Sequence, residues 1–170
     1  MNIRACTLAD IESISDWLDI TANNPWSLKA ITEVLEKSHY RVLVSESASA
    51  VSGICLFTLV ADECNLLYIA VASHYRQQGI GRQLLDALMR QSQQHNMSRV
   101  FLEVRESNQA AIALYTAAGF INNGMRKNYY PASKASLDSQ LDNQLDSENS
   151  QRETALLFDL SLIKEKKEAN

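Results

Sequence analysis

Hydrophobic and polar positions along the chain change period several times, and each change marks an element. "NIRAC" at the N-terminus is short and β-like. In "TLADIESISDWLDI", Ile11, Ile14 and Leu18 recur at helical spacing, with Thr7 placed as an N-cap. "NNPWS" interrupts that pattern, and Ser27 offers a second cap for "LKAITEVLEKS", where Ile31, Val34 and Leu35 form one stripe. "YRVLVSE" predicts a strand, and "ASAVSG" a turn region. In "VSGICLFTLVA" both alternating sets of residues are largely apolar, which predicts a central strand covered on both faces. "NLLYIAVA" predicts another strand. "IGRQLLDALMRQSQQH" returns to the helical period, with Leu84, Leu85, Leu88 and Met89 on its inner stripe. "SRVFLEVRE" is strand-like. Ser107 and Asn108 can cap a short helix, "QAAIALYTAA", that Gly119 can end. "FINNGMRKNYY" and "RETALLFDLSLI" supply two last strands.

The predicted order is strand, two helices, three strands, helix, strand, helix, two strands. It implies a mixed α/β domain, of α+β type, with a central mixed sheet flanked by helices. A chain of 170 residues suits one such domain with one sizeable core, here taken as residues 1–163. Residues 133–151, "SKASLDSQLDNQLDSENSQ", stand apart. They contain a near-repeat of four, "LDSQ", "LDNQ", "LDSE", and no aromatic, glycine or proline, which predicts a flexible low-complexity loop between two strands. Residues 164–170, "KEKKEAN", predict a charged, solvated tail.

Composition narrows the function. A net charge of −4 disfavours non-specific nucleic-acid binding, so no direct nucleic-acid partner is expected. The absence of long apolar runs and of a signal-peptide apolar region predicts no membrane span and a cytoplasmic location. Cys6, Cys55 and Cys64 are odd in number and lack CxxC spacing, and His39, His74 and His95 are scattered. Reduced structural thiols and no metal site are therefore expected.

The stretch "RQQGIGRQLL" runs from a strand into a helix through two glycines. The first N–H groups of a helix lack internal partners, and glycine lets the backbone approach a ligand, so an anion fits there. Gly81 is followed by Arg82 and Gln83 instead of Lys and Ser or Thr, which disfavours a nucleotide-hydrolysing P-loop. The spacing Arg76-x-x-Gly79-x-Gly81 resembles the acyl-coenzyme A signature of the GCN5-related N-acetyltransferases (GNAT). That resemblance implies acetyl-CoA as the acetyl donor. Its pyrophosphate would be held by the backbone of Gln77, Gln78, Gly79, Ile80, Gly81 and Arg82, with the Arg76 and Arg82 side chains near phosphate. Its pantetheine arm would pair with main-chain groups of Ile69, Ala70 and Val71.

"LEVRESNQAAIALYTAAGF" is similar to the second motif of that family. Asn108 and Tyr115 are two helical turns apart, about 10 Å on one face, so one elongated ligand can meet both. Glu103 alternates with Phe101 and Arg105 on one strand face, and an ion pair with Arg105 is the plain structural expectation. The combination of Pro25-Trp26-Ser27, Glu103-Val104-Arg105 and Asn128-Tyr129-Tyr130-Pro131 resembles one subgroup, the RimI-type ribosomal-protein-alanine N-acetyltransferases. The subgroup implies Glu103 as proton acceptor and Tyr115 as proton donor. It also implies a partner, the N-terminal alanine of a small-subunit ribosomal protein of the S-eighteen type, gripped by Pro25, Trp26, Tyr129 and Tyr130. An α-amine, with a pKa of about 7.7–8.0 against about 10.4 for lysine, is the easier group for a carboxylate to deprotonate. A small amine or a lysine as acceptor, and a non-catalytic acyl-CoA sensor, stay open as alternatives at this stage. No oligomeric state is assigned.

Overall fold

The computed structural model describes residues 2–18, 26–47, 50–131 and 152–162. Pro25, the repeat segment 133–151 and the tail 164–170 lie outside the described residues. The elements are β1 (Asn2–Ala5), α1 (Asp10–Ser15), α2 (Leu28–Leu35), β2 (Tyr40–Ser47), β3 (Ala50–Val60), β4 (Glu63–Val71), α3 (Ile80–Gln94), β5 (Arg99–Arg105), α4 (Gln109–Ala117), β6 (Ile121–Tyr130) and β7 (Glu153–Ser161). A 3-10 turn at Ser73–Tyr75 separates β4 from α3. The order of elements is the one the periodicity predicts. No helix among the described residues is long and apolar enough to cross a membrane.

The strands form one seven-stranded mixed sheet, ordered β1-β2-β3-β4-β5-β7-β6. Only β4 and β5 run parallel; α3 makes the crossover between them. On one face, α3 and α4 close a core around Phe57, Leu66, Leu84, Leu88, Leu102 and Tyr115. On the other, α1 and α2 cover Val42, Val44, Ile54 and Leu56. Residues 51–58 of β3 are buried throughout, as expected of the strand with two apolar faces.

One local expectation needs correction. Thr7 does not cap α1: its backbone N–H and hydroxyl both donate to the Asp10 carboxylate, which also accepts two bonds from the Arg4 guanidinium at 2.7 and 2.8 Å. The α1 helix is six residues long, and Ile14 and Leu18 reach the core. Ser27, by contrast, does cap α2 through Ala30 N–H at 3.2 Å.

One irregularity of the sheet organises the site. In β4, Leu66 pairs with Phe57 and Tyr68 with Leu56, leaving Leu67 as an extra, bulged residue. The bulge changes the phase of the strand, so Leu66 and Ile69 both turn toward the α3 side. Beyond it β4 parts from β5: only Glu63–Leu66 pair with Arg99–Leu102. The sheet is therefore split where β4 continues to Val71 and β5 to Arg105.

Candidate active site

Among the described residues, β4 pairs with β5 only as far as Leu66, so its edge from there to Val71 faces the split. Main-chain groups along such an edge suit an extended, amide-bearing chain. Ile69, Ala70 and Val71 lie on this edge.

The glycine turn follows directly. Arg76 Nε donates to the Val71 carbonyl at 3.1 Å, closing the turn onto the strand end, and Gln78 Nε2 donates to the His74 carbonyl at 3.2 Å. Gln77 has φ +60° and Gly79 has φ +79°, both left-handed. Gly79 stands at the N-cap of α3, and no side chain caps that end. The N–H groups of Ile80, Gly81 and Arg82 thus open the helix without an intrahelical acceptor, which is the arrangement that takes an anion. A methyl group on Gly81 would meet Leu114 at 3.4 Å and Val71 at 3.9 Å, so the strand end, α3 and α4 converge here. The Arg82 side chain is engaged elsewhere: Nε donates to Asp86 at 2.9 Å and Nη1 to the Ala117 carbonyl at 3.1 Å. What Arg82 offers the loop is its backbone amide.

Asn108 caps α4, its Oδ1 accepting the Ala111 N–H at 3.1 Å. Seven residues on, Tyr115 packs beside Phe120 and Phe158, with ring centroids 6.0 and 6.4 Å away. Tyr115 is 5 % exposed, and its hydroxyl has no hydrogen-bond partner among the described residues. Burial, and then the neighbouring Cys55 and Tyr130, push its phenol well above the ordinary range. The phenol therefore holds its proton more firmly than a solvated one.

Glu103 and Tyr115 stand on different layers, one on a strand and one on a helix, yet both line a cavity of about 150 Å³. The split between β4 and β5 makes this possible. The same cavity is lined by Ile69 from β4, Asn108 and Ala111 from α4, and Tyr130 from β6. A second cavity, of about 550 Å³, opens on the sheet face opposite α3 and α4. Trp26, Leu67, Phe101, Glu103, Arg126, Tyr129 and Tyr130 are among its walls. Glu103 and Tyr130 belong to both cavities, so the two meet at these side chains.

The expected pairing of Glu103 with Arg105 does not occur. Arg105 Nη1 bonds the Glu153 carboxylate at 3.0 Å and the Pro131 carbonyl at 2.8 Å, and its guanidinium stacks 4.4 Å from the Tyr130 ring centre. Burial raises the Glu153 carboxyl, but hydrogen bonds from Ser107 and Arg105 outweigh it and hold the carboxyl below its ordinary range. Burial and the Glu103 charge push the Tyr130 phenol up to about 12. Glu103 itself pairs with Arg126 of β6, Nη1 to Oε1 at 3.1 Å. Arg126 carried no assignment in the sequence. Its reach to Glu103 depends on β7 lying between their strands, which no local pattern announces. Among the described residues no cluster of three or more His, Cys, Asp or Glu is placed to hold a metal. The three cysteines are buried free thiols.

Residues 11–120 match the model of the acetyltransferase (GNAT) family. A [ribosomal protein bS18]-alanine N-acetyltransferase of Escherichia coli (strain K12) is 34% identical over 115 residues, covering 68% of this chain and 77% of that protein. The crystal structure of the ribosomal-protein-S18-alanine N-acetyltransferase from Escherichia coli aligns with a TM-score of 0.78 at 27% identity, over 99% of this chain and 98% of that one. A GNAT family acetyltransferase from Elizabethkingia anophelis with acetyl-CoA bound shares the fold, with a TM-score of 0.68 at 17% identity over 95% of this chain and 97% of that one.

Proposed function

The chain belongs to the acetyltransferase (GNAT) family and is an acetyl-CoA-dependent N-acetyltransferase, and we propose that its acceptor is the N-terminal alanine of ribosomal protein bS18. The acceptor reading rests on the 34%-identical relative of that name. The chemical reading rests on one observation, the cavity that both Glu103 and Tyr115 line. We take residues 1–163 as the acetyltransferase domain.

The residues present fit the donor. The uncapped start of α3 and the left-handed turn at Gly79 suit a pyrophosphate, and the β4 edge that faces the split suits a pantetheine arm. On this reading Gln77, Gln78, Gly79, Ile80, Gly81 and Arg82 hold the phosphates through backbone amides. Ile69, Ala70 and Val71 hold the arm, and Asn108 contacts it at the start of α4. Bound acetyl-CoA supplies an activated acetyl group on a sulfur that can leave. Glu103 accepts the proton that the acceptor's ammonium must lose before its nitrogen can attack. The Val71 N–H is our candidate donor to the carbonyl oxygen as negative charge gathers there. Tyr115, kept neutral by its burial, holds a proton at Oη for the departing sulfur. Trp26, Tyr129 and Tyr130 grip the first residues of the peptide in the larger cavity, and Pro25, outside the described residues, is assigned to the same grip from the sequence alone.

Mass spectrometry after incubation with acetyl-CoA and a peptide panel tests the acceptor. Acetylation at the α-amine of the Ala-initiated bS18 peptide is expected. Acetylation of internal lysines or small amines, with that α-amine untouched, would sink the assignment.

A further inference from the structure

Two arginines approach the site from the same sheet face, and they are held very differently. In the β5-β7-β6 ladder, Arg105 and Arg126 both stand opposite Ala155, which is fully buried between them. Arg105 is 17% exposed and has a carboxylate, a carbonyl and an aromatic face as partners. Arg126 is 54% exposed, and among the described residues its ion pair with Glu103 is accompanied by a distant contact with the Tyr129 ring, 5.4 Å from its centre. It also lies at the start of a register shift in β6, between Arg126 and Tyr130, where Asn128 takes φ +54°. One cation is locked in place and the other is replaceable.

We infer that Arg126 is a resident counter-ion of Glu103 which an incoming acceptor must displace with its own ammonium group. The inference rests on Glu103 being the group that receives the acceptor amine. An α-amine with a pKa of about 7.7–8.0 arrives mostly protonated at neutral pH, so it can replace the guanidinium without leaving a net charge stranded in the cavity. Once released, Arg126 has the exposed Tyr129 ring beside it to receive its cation. The acetylated product is a neutral amide. It cannot compete for Glu103, and Arg126 returns. Arg126 is thus a specificity-determining residue: it selects for acceptors that carry a cation at the reacting nitrogen and against the product that has lost it.

The test compares an Ala-initiated bS18 peptide with its des-amino analogue, in which propionyl replaces alanyl, on wild type, Arg126→Met and Arg126→Lys. Removing the competitor in Arg126→Met is expected to lower the peptide KM about two- to fivefold, the range a partly exposed ion pair supports, with the effect on KM and not on kcat. The inhibition constant of the des-amino analogue should stay put, because that analogue has no ammonium to exchange. Arg126→Lys restores the competitor and should return KM toward wild type. A rise in peptide KM in Arg126→Met would overturn the inference, showing that Arg126 holds the substrate. A parallel shift for peptide and analogue would overturn it too, showing a purely structural effect. If wild type does not acetylate the peptide at all, the acceptor assignment fails, and this inference with it.

Discussion

The two ends of the proposed site are built in opposite ways. The loop that suits a pyrophosphate is one contiguous stretch, Arg76 to Arg82, and what it offers is backbone: the uncapped N–H groups at the start of α3 and a left-handed turn at Gly79. The acceptor end is assembled from the α2 approach, β4, β5 and β6, and what it offers is side chains: Trp26, Glu103, Arg126, Tyr129 and Tyr130. A backbone site tolerates side-chain change except where glycine is needed. A side-chain site depends on each residue and on the register of the strands that carry it. Substitutions at the first should therefore act on donor affinity, and at the second on turnover and acceptor choice.

The largest expected effect tests that division at Tyr115. Tyr115→Phe removes the proposed proton donor without removing the ring that packs on Phe120 and Phe158. Steady-state kinetics should show kcat lower by about 10²- to 10⁴-fold, the usual range for a lost general acid. Acetyl-CoA affinity by calorimetry should barely move; a comparable loss in both would erase the distinction between the two ends. Because burial keeps the phenol neutral, wild-type activity should also show no alkaline loss from Tyr115 below pH 10.

Acid sensitivity separates folding from chemistry. Asp10, far from either end, is held down to about 2 by hydrogen bonds from Arg4. Its folded pKa lies below the unfolded value of about 3.9, so its stabilisation is complete above that value and is lost as pH falls toward 2. Asp10→Asn should lower stability at neutral pH by about 2 kcal/mol and flatten the acid limb of the unfolding curve. Chemical denaturation at several pH values measures both. An unchanged acid limb would show that another carboxylate governs it.

Smaller effects sharpen the donor end. A methyl on Gly81 meets Leu114 and Val71 only at ordinary contact distance, so Gly81→Ala should fold normally. It should still raise the acetyl-CoA KM about tenfold, the equivalent of one charge-assisted hydrogen bond, with peptide KM unaffected. Gly79 has open space around it but φ +79°, so Gly79→Ala should cost about 1 kcal/mol of stability through backbone strain alone. A thermal melt should show it as a drop of about 2–4 °C.

What the sequence determined by itself was local. Alternation and helical spacing carried the element order, because each apolar stripe must face a core whatever its neighbours are. The glycine turn was legible, since an anion site at a helix start needs only a strand end, glycines and uncapped amides in succession. The N-caps at Ser27 and Asn108 were legible for the same reason, whereas the Thr7 hydroxyl donates to the Asp10 carboxylate that Arg4 holds from outside the helix. Tertiary structure decided the rest. The bulge at Leu67 was invisible because Leu66 and Leu67 are both apolar, and only pairing with β3 reveals which one is extra. That bulge marks the point where the sheet splits and one cavity comes to be lined by a strand carboxylate and a helix phenol. The partners of Glu103 and Arg105 likewise followed from β7 being inserted between β5 and β6. Charges two residues apart on one strand looked like natural partners. Sheet order gave each another instead: Glu153 on the adjacent strand took Arg105, and Arg126, two strands away across β7, reached Glu103.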